Sequence, residues 1–202
     1  MTISLAEFTR GYQEFQKRER RDAMYKTAIF VVSHFWGKPA DMADGMGVLL
    51  LTWNQAFYRY GPFDFDKLER AIQSNFATIQ SFHERDILTL HKSDEPIVKK
   101  LFGELLEALQ IADGKMKGRK SPVAVAKALH LLGPTFFTLW DDKIARAYDC
   151  YYNIHPSEKY LSFSYKMKDI AQQIGSQVSS GNKSLLKLID EYNYAKYTKK
   201  WL

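Results

Sequence analysis

Residues 114–147, GKMKGRKSPVAVAKALHLLGPTFFTLWDDKIARA, contain the clearest helix start and stop signals of the chain. Ser121-Pro122 is a typical helix start and Gly133-Pro134 a typical helix end. Asp141 follows the short run FFTLW and marks the start of another helix. This stretch therefore predicts two helices joined by a short link, the second of them reaching about residue 153.

Similar signals continue outward in both directions, and no run alternates convincingly with the period of two that a strand requires. The predicted fold is all-α, a compact bundle of about eight to ten helices with short connections. It forms a single domain over 1–202, or two lobes, 1–113 and 114–202, with a cleft between them. The other predicted helices cover 4–21, 23–36, 42–60, 68–82 with a break near Asn75, 93–112, 155–173, and a last one from a cap at Asn182 to Tyr194.

Composition narrows the class of protein. The 202 residues are 46% hydrophobic, which is enough apolar side chain for a sizeable core. The longest apolar run, GMGVLLLTW, is shorter than the roughly 18 residues that a membrane span needs, and the N-terminus lacks the layout of a signal peptide. Cys150 is the only cysteine, so no internal disulfide can form. We expect a cytoplasmic protein that does not enter a membrane.

Charge is distributed unevenly along the chain. Residues 1–113 carry 14 Lys and Arg against 16 Asp and Glu, a net charge of −2. Residues 114–202 carry 15 against 7, a net charge of +8, and the sum is the overall +6. A concentrated basic excess is typical of binding to a polyanion such as nucleic acid. A basic surface that only keeps the protein soluble remains the alternative.

The loop before the first of the two helices combines four cations with glycine. Its spacing does not match a nucleotide-binding phosphate loop, because three residues separate the glycines where four are needed and no strand precedes it. A weaker arrangement fits, in which loop amides and a helix start hold one phosphate. The predicted nucleic-acid contacts here are Lys115, Lys117, Gly118, Arg119, Lys120 and Ser121; the alternative is a solvated linker.

Three side chains after this loop are chemical candidates. Lys127 stands among apolar residues, where desolvation lowers the pKa of an amine and makes it a better nucleophile. Otherwise its amine reaches solvent. His130 is either a phosphate or base contact or a hydrogen-bonded structural histidine. Asp141 either projects into a cleft or only caps its helix, while Asp142 is placed to pair with Arg146 at four-residue spacing.

The order basic loop, small-residue helix, short link, Asp and then I-A-R resembles the helix-hairpin-helix DNA glycosylase superfamily. The segment LWDDKIAR at 139–146 is similar to the context of that family's aspartate. The resemblance implies that Asp141 stabilises an oxocarbenium-like sugar or activates water. In the alternative that the resemblance implies, an uncharged Lys127 instead attacks C1′ to form a Schiff base. The resemblance also implies that a loop containing Gly118 grips DNA phosphates and that Arg146 stands at the family's basic position.

The segment GVLLLTWNQAFYR at 47–59 resembles the family's buried helix with an amide-rich turn. The resemblance implies that Asn54 and Gln55 lie near a flipped base, which stacks on aromatic rings. The aromatic candidates are Trp53, Phe57 and Trp140. The same aromatic residues are also typical of an ordinary core helix.

The sequence thus leaves three function classes open. The first is a DNA glycosylase that acts on double-stranded DNA, with or without lyase activity. The second is a nucleic-acid-binding protein without catalysis, and the third is an all-α protein that binds an acidic partner. We expect a monomer with no cofactor. We also expect no metal site, because the spacing of His83 and His91 fits no trusted metal pattern.

Overall fold

A computed structural model of the chain describes residues 3–178 and 183–202. The described residues form ten α-helices and no strand, which confirms the all-α prediction. The helices are α1 (Leu5–Arg18), α2 (Ala23–His34), α3 (Pro39–Trp53), α4 (Gln55–Tyr58), α5 (Phe65–His83), α6 (Glu95–Ala108), α7 (Pro122–Leu132), α8 (Asp142–Ala147), α9 (Pro156–Ile174) and α10 (Leu185–Asn193). A π-helical turn, Tyr194–Thr198, follows α10 directly.

Side-chain caps begin several of these helices, as the sequence signals predict. Ser121 and Asp141 each accept a hydrogen bond from the backbone amide three residues on, which satisfies an amide that the first turn leaves unpaired. The predicted cap of the last helix, Asn182, lies outside the described residues. Ser184 caps α10 instead, with the amide of Lys187 as the donor.

Two predicted helix boundaries in the first half are wrong. The helix predicted over 42–60 begins at Pro39 and ends at Trp53, and the residues after it form the separate turn α4. The break predicted near Asn75 is absent, and α5 is continuous. The Asn75 amide donates to the carbonyl of Ala71 and to the carboxylate of Glu104, so its hydrogen bonds are made without interrupting the helix.

Two helices are also shorter than predicted. Helix α6 ends at Ala108 rather than at about residue 112. The helix expected to reach about residue 153 ends at Ala147, and Asp149 adopts a left-handed conformation with φ of 57°. The amide of Cys150 then returns to the carbonyl of Ala145, which closes the turn. A left-handed residue cannot continue a right-handed helix, so the chain changes direction here.

The core is one connected hydrophobic cluster that draws on both sides of residue 113. Helix α1 packs on α10, α3 on α5, and α6 on α9. Helix α7 lies near the middle of the bundle, and every residue from Ala124 to Leu132 is buried except Lys127. Each fully buried leucine on it contributes roughly 1.5–3 kcal/mol through removal of apolar surface from water. The burial of α7 therefore fixes where Lys127 stands. No helix of the described residues is long and apolar enough to cross a membrane.

Candidate functional site

A cavity of about 760 Å³ lies beside Lys127, a partly exposed residue of α7. Its volume is within the range of typical ligand sites in proteins. It is lined from both ends of the chain, by the segment joining α1 to α2, the end of α3, and parts of α7, α8, α10 and the π turn. The lining residues are Phe15, Arg18, Glu19, Arg20, Arg21, Asp22, Ala23, Met24, Trp53, Lys127, Leu139, Trp140, Asp141, Ile144, Lys187, Asp190 and Tyr194.

Lys127 enters this cavity from α7 as a largely desolvated amine. Its Nζ donates a hydrogen bond to the carbonyl of Trp53 at 2.7 Å and lies 4.8 Å from the centre of the Trp53 indole. Burial lowers the pKa of Lys127 to about 8, against the opposing influence of the Asp190 and Asp141 carboxylates. The structure therefore places the Lys127 amine in a largely desolvated environment rather than in solvent. A fraction of the amine is uncharged at neutral pH, as a nucleophile requires.

Asp141 lines the same cavity and also caps α8. The two alternatives for its side chain, projection into a cleft and capping of the helix, are therefore both realised. Its Oδ1 accepts the amide of Ile144 at 2.8 Å. Its Oδ2 accepts the hydroxyl of Thr198 at 2.5 Å. Thr198 ends the π turn, and its carbonyl in turn accepts a hydrogen bond from Lys143. The carboxylate is thus held from two directions while it remains half-buried at the cavity wall.

A buried ion network forms another wall of the cavity. Lys187 Nζ lies 3.3 Å from Asp22 Oδ2, 3.4 Å from Asp190 Oδ2 and 3.7 Å from Glu191 Oε1. Lys183 also pairs with Glu191 and lies 3.5 Å from Asp22. Burial lowers the pKa of Lys187, but the three carboxylates outweigh this and raise it overall. Lys187 is therefore a charged structural centre rather than a nucleophile.

Asp190 is the member of this network whose pKa lies near neutral pH. Burial raises the pKa of its carboxyl to about 6, although the neighbouring Lys187 ammonium lowers it. The nearby carboxylates of Glu191 and Asp141 raise it further. A carboxyl that titrates near neutral pH in a cavity is a candidate acid or base. Sequence reasoning missed Asp190, because nothing in its local context distinguishes it from a solvated helix residue.

The predicted aromatic pocket is only partly assembled. Trp53 and Trp140 both line the cavity. Trp53 is half-buried, whereas Trp140 is almost wholly buried among other rings and donates its indole N–H to the carbonyl of Pro122. The other predicted members are not lining residues: Asn54 donates to the Ser121 hydroxyl, and Gln55 and Phe57 lie on the short helix α4. Trp53 is the ring available for stacking.

Three arginines stand at the cavity in place of the predicted basic loop. Arg18, Arg20 and Arg21 are exposed lining residues from the end of α1 and the segment after it. Arg18 is held by Glu14 at 3.1 Å and lies 5.0 Å from the centre of the Trp201 ring. Their run, KRERR at 17–21, reads in the sequence as a solvated helix face. Only the tertiary structure places these arginines in the lining of the cavity that Lys127 enters.

The basic loop itself lies apart from the cavity. Lys115, Lys117, Arg119 and Lys120 are all exposed, and none of them lines the cavity. The predicted backbone nest is wrong for three amides, which donate within the loop: Lys117 to Gly114, Gly118 to Ile111 and Arg119 to Met116. These three amides are therefore not free to bind a phosphate, and among the loop side chains Lys120 already pairs with Glu107.

The surroundings of His130 and Ser121 contradict their predicted nucleic-acid contacts, whereas the contact predicted for Arg146 stays a prediction. His130 is fully buried, where Tyr25 Oη lies 3.2 Å from its Nε2 and the Phe137 carbonyl 2.7 Å from its Nδ1, so it cannot reach nucleic acid. Ser121 is buried and serves as the α7 cap. Arg146 is exposed but outside the cavity; it pairs with Asp142 at 3.0 Å, as predicted, and lies 3.5 Å from the centre of the Tyr151 ring.

Among the described residues, no group of three or more His, Cys, Asp or Glu side chains is arranged to hold a metal ion. Comparisons with protein-family models, with curated proteins and with solved structures find no match for this chain.

Proposed function

We propose that this protein binds double-stranded DNA and cleaves the N-glycosidic bond of a base turned out of the helix. The observation that carries the proposal is the convergence of Lys127 and Asp141 on one cavity from two different helices. A desolvated amine beside a carboxylate is the pair that attack on a sugar C1′ requires, because one group supplies electrons and the other stabilises positive charge. Trp53 supplies a ring against which an extruded base can stack.

Binding to the DNA backbone is proposed for the three exposed arginines at the cavity. Guanidinium groups form bidentate hydrogen bonds to phosphate, and Arg18, Arg20 and Arg21 stand beside the opening that a nucleotide would enter. The exposed cations of the basic loop add attraction over a wider area. Phosphate contacts of this kind hold the duplex in place without reading its sequence.

In the proposed reaction, the lone pair of Lys127 Nζ forms a bond to C1′ while the bond from C1′ to the base nitrogen breaks. Asp141, with both oxygens held by Ile144 and Thr198, stabilises the positive charge that develops on the sugar. With a pKa of about 8, roughly a fifth of the Lys127 amine is uncharged at pH 7.4. The nucleophile thus needs no strong base to activate it.

The test is incubation of the purified protein with duplexes that carry uracil, oxidised or alkylated bases, followed by borohydride trapping. The expected results are release of one class of base and a trapped covalent adduct, which Lys127→Gln loses. Asp141→Asn should slow base release. Lys92→Gln is the matched control, because Lys92 is exposed and far along the chain from any lining residue. Absence of both release and trapping across the panel would overturn the catalytic proposal.

A separate measurement tests DNA binding alone. The slope of log affinity against log salt reports the number of phosphates that the protein neutralises. Arg20→Gln and Arg21→Gln should each reduce that slope by about one, as expected for loss of one phosphate contact. Salt-dependent binding without base release would identify a non-catalytic nucleic-acid-binding protein. Lack of binding to any oligonucleotide would instead favour an acidic protein partner.

A further inference from the structure

We propose that Asp190 is a further catalytic residue, which delivers a proton to the departing base and recovers it from Lys127. This inference deepens the glycosidic-bond cleavage proposed above and rests on it. Asp190 lines the cavity together with Lys127 and Asp141, although it comes from a different helix, α10, near the other end of the chain. A third titratable side chain is therefore placed at the site where the first two converge.

The Asp190 carboxyl is accessible from the cavity and is only partly held by its ion pair. Its Oδ2 is 3.4 Å from Lys187 Nζ, and about 16% of its side chain remains exposed. Because Asp190 is a lining residue, that exposed part faces the cavity. The Lys187 ammonium is shared with Asp22 and Glu191, so it does not hold the Asp190 carboxylate ionised by itself.

The charged groups around Asp190 come from every element of the cavity wall. They are Lys187 and Glu191 on α10, Lys183 before it, Asp22 before α2, Tyr25 on α2, Lys127 on α7, Asp141 at the start of α8, and Arg18, Glu19, Arg20 and Arg21 from α1 and the segment after it. Burial raises the pKa of Asp190 to about 6 and lowers that of Lys127 to about 8. The two pKa values are close enough for a proton to pass between the groups near neutral pH.

In the proposed step one proton passes from Asp190 to the departing base and another passes from Lys127 back to Asp190. The Nζ lone pair bonds to C1′, and the electrons of the breaking bond move to the base nitrogen. The Asp190 carboxyl gives its proton to that nitrogen, so the base leaves as a neutral molecule. The nitrogen of Lys127, now bonded to C1′ and positively charged, returns one proton to the Asp190 carboxylate. The C1′–O4′ bond then breaks, its electrons and the remaining proton of the Lys127 nitrogen pass to O4′, and the neutral Schiff base forms with no net change in the protonation of Asp190.

The proposed base release requires that Asp190 and Lys127 hold one proton between them. The rate of base release should therefore rise with pH near 6, where Asp190 and Lys127 cease to be protonated together, and fall near 8, where both are deprotonated. Asp190→Asn should remove the rise near pH 6. The rate of the variant should instead rise once with pH, below pH 8, and then stay level, because the deprotonation of Lys127 alone governs it and the Asp190 carboxylate no longer raises the pKa of Lys127.

The experiment compares two substrates with the same variant. On a duplex with a damaged base, Asp190→Asn should release base about 100-fold more slowly than the unaltered protein, the usual contribution of a positioned acid. On a duplex with an abasic site, no base has to leave, so borohydride trapping through Lys127 should persist. Persistent trapping also reports that the variant is folded. Asp149→Asn is the matched control, because Asp149 is exposed outside the cavity and asparagine tolerates its left-handed conformation.

The outcomes separate the two proposals. If the unaltered protein neither releases base nor traps on any duplex, the proposed function fails. If it releases base and Asp190→Asn does so equally fast with the same pH profile, only the role of Asp190 is overturned. Loss of trapping on abasic DNA together with base release would also overturn it, because Asp190 would then support Lys127 rather than the departing base.

Discussion

Replacing Asp190 with asparagine should stabilise the folded protein at neutral pH while it removes the proposed acid. The carboxyl has a pKa of about 6 in the folded chain against an ordinary value of 3.8, because burial disfavours its charged form. The shift of about 2.2 units corresponds to about 3 kcal/mol, at 1.36 kcal/mol per unit. Asparagine resembles the protonated carboxyl in shape and carries no charge, so it avoids this cost of ionisation.

The sign of the effect follows from proton binding. Between pH 3.8 and about 6 the folded state holds a proton on Asp190 that the unfolded state has already lost. The free energy of unfolding of the unaltered protein therefore falls, relative to Asp190→Asn, as pH rises through this interval. Above about pH 6 the difference is constant. The variant should show an advantage of about 3 kcal/mol at pH 7.5 and almost none at pH 4.

The assay is urea unfolding of both proteins at several pH values between 4 and 8, followed by far-UV circular dichroism. Titrating groups away from the cavity, such as Asp94 paired with Arg85, contribute equally to both proteins and cancel in the difference. A difference that does not change with pH would refute the reasoning. So would a less stable variant at pH 7.5, which would mean that the pairing with Lys187 outweighs the burial of Asp190.

The remaining predictions concern positions that hold the site in place. Thr198→Val removes the hydroxyl that binds Asp141 Oδ2, so base release should fall about tenfold, a typical effect of losing a hydrogen bond to a charge, while Thr198→Ser keeps the rate. Ser121→Ala removes the α7 cap and the acceptor of Asn54, and urea unfolding should show a loss of about 1–2 kcal/mol. His130 has a pKa lowered by burial to about 4, so it is neutral in the folded protein at pH 7. Protonation of the unfolded state below pH 6.5 should therefore remove about 3 kcal/mol of stability by pH 4, and His130→Gln should show a correspondingly weaker pH dependence of unfolding.

The helical architecture was predictable because its signals are local. Ser121 and Asp141 are recognisable caps, since a side-chain oxygen reaches an amide only three residues away. The wrongly predicted helix boundaries depend on backbone conformation and side-chain contacts that the sequence pattern does not report. Helix α8 ends early because Asp149 turns left-handed, and α5 continues through Asn75 because its amide finds Glu104, a partner from another helix.

Part of the site was predictable for a related reason. Lys127 and Asp141 are separated by one helix and a short link, so their meeting follows from local geometry once α7 packs into the core. Asp190 and Arg20 were missed because they reach the cavity only when α1 packs on α10. The packing of α7 against α2 and the link after α7 buries His130, whose position in the sequence resembles that of an exposed residue as much as a core one.

The amino-acid sequence by itself determined the all-α class, the caps of α7 and α8, and the candidacy of Lys127 and Asp141, since each depends on neighbours within a few turns of helix. Only the tertiary structure decided that these two groups share a cavity with Asp190, and that the arginines of the first helix, rather than the basic loop, stand beside it. The physical reason is desolvation. Burial moves the pKa of Lys127 down and that of Asp190 up, and burial depends on segments that lie far apart along the chain.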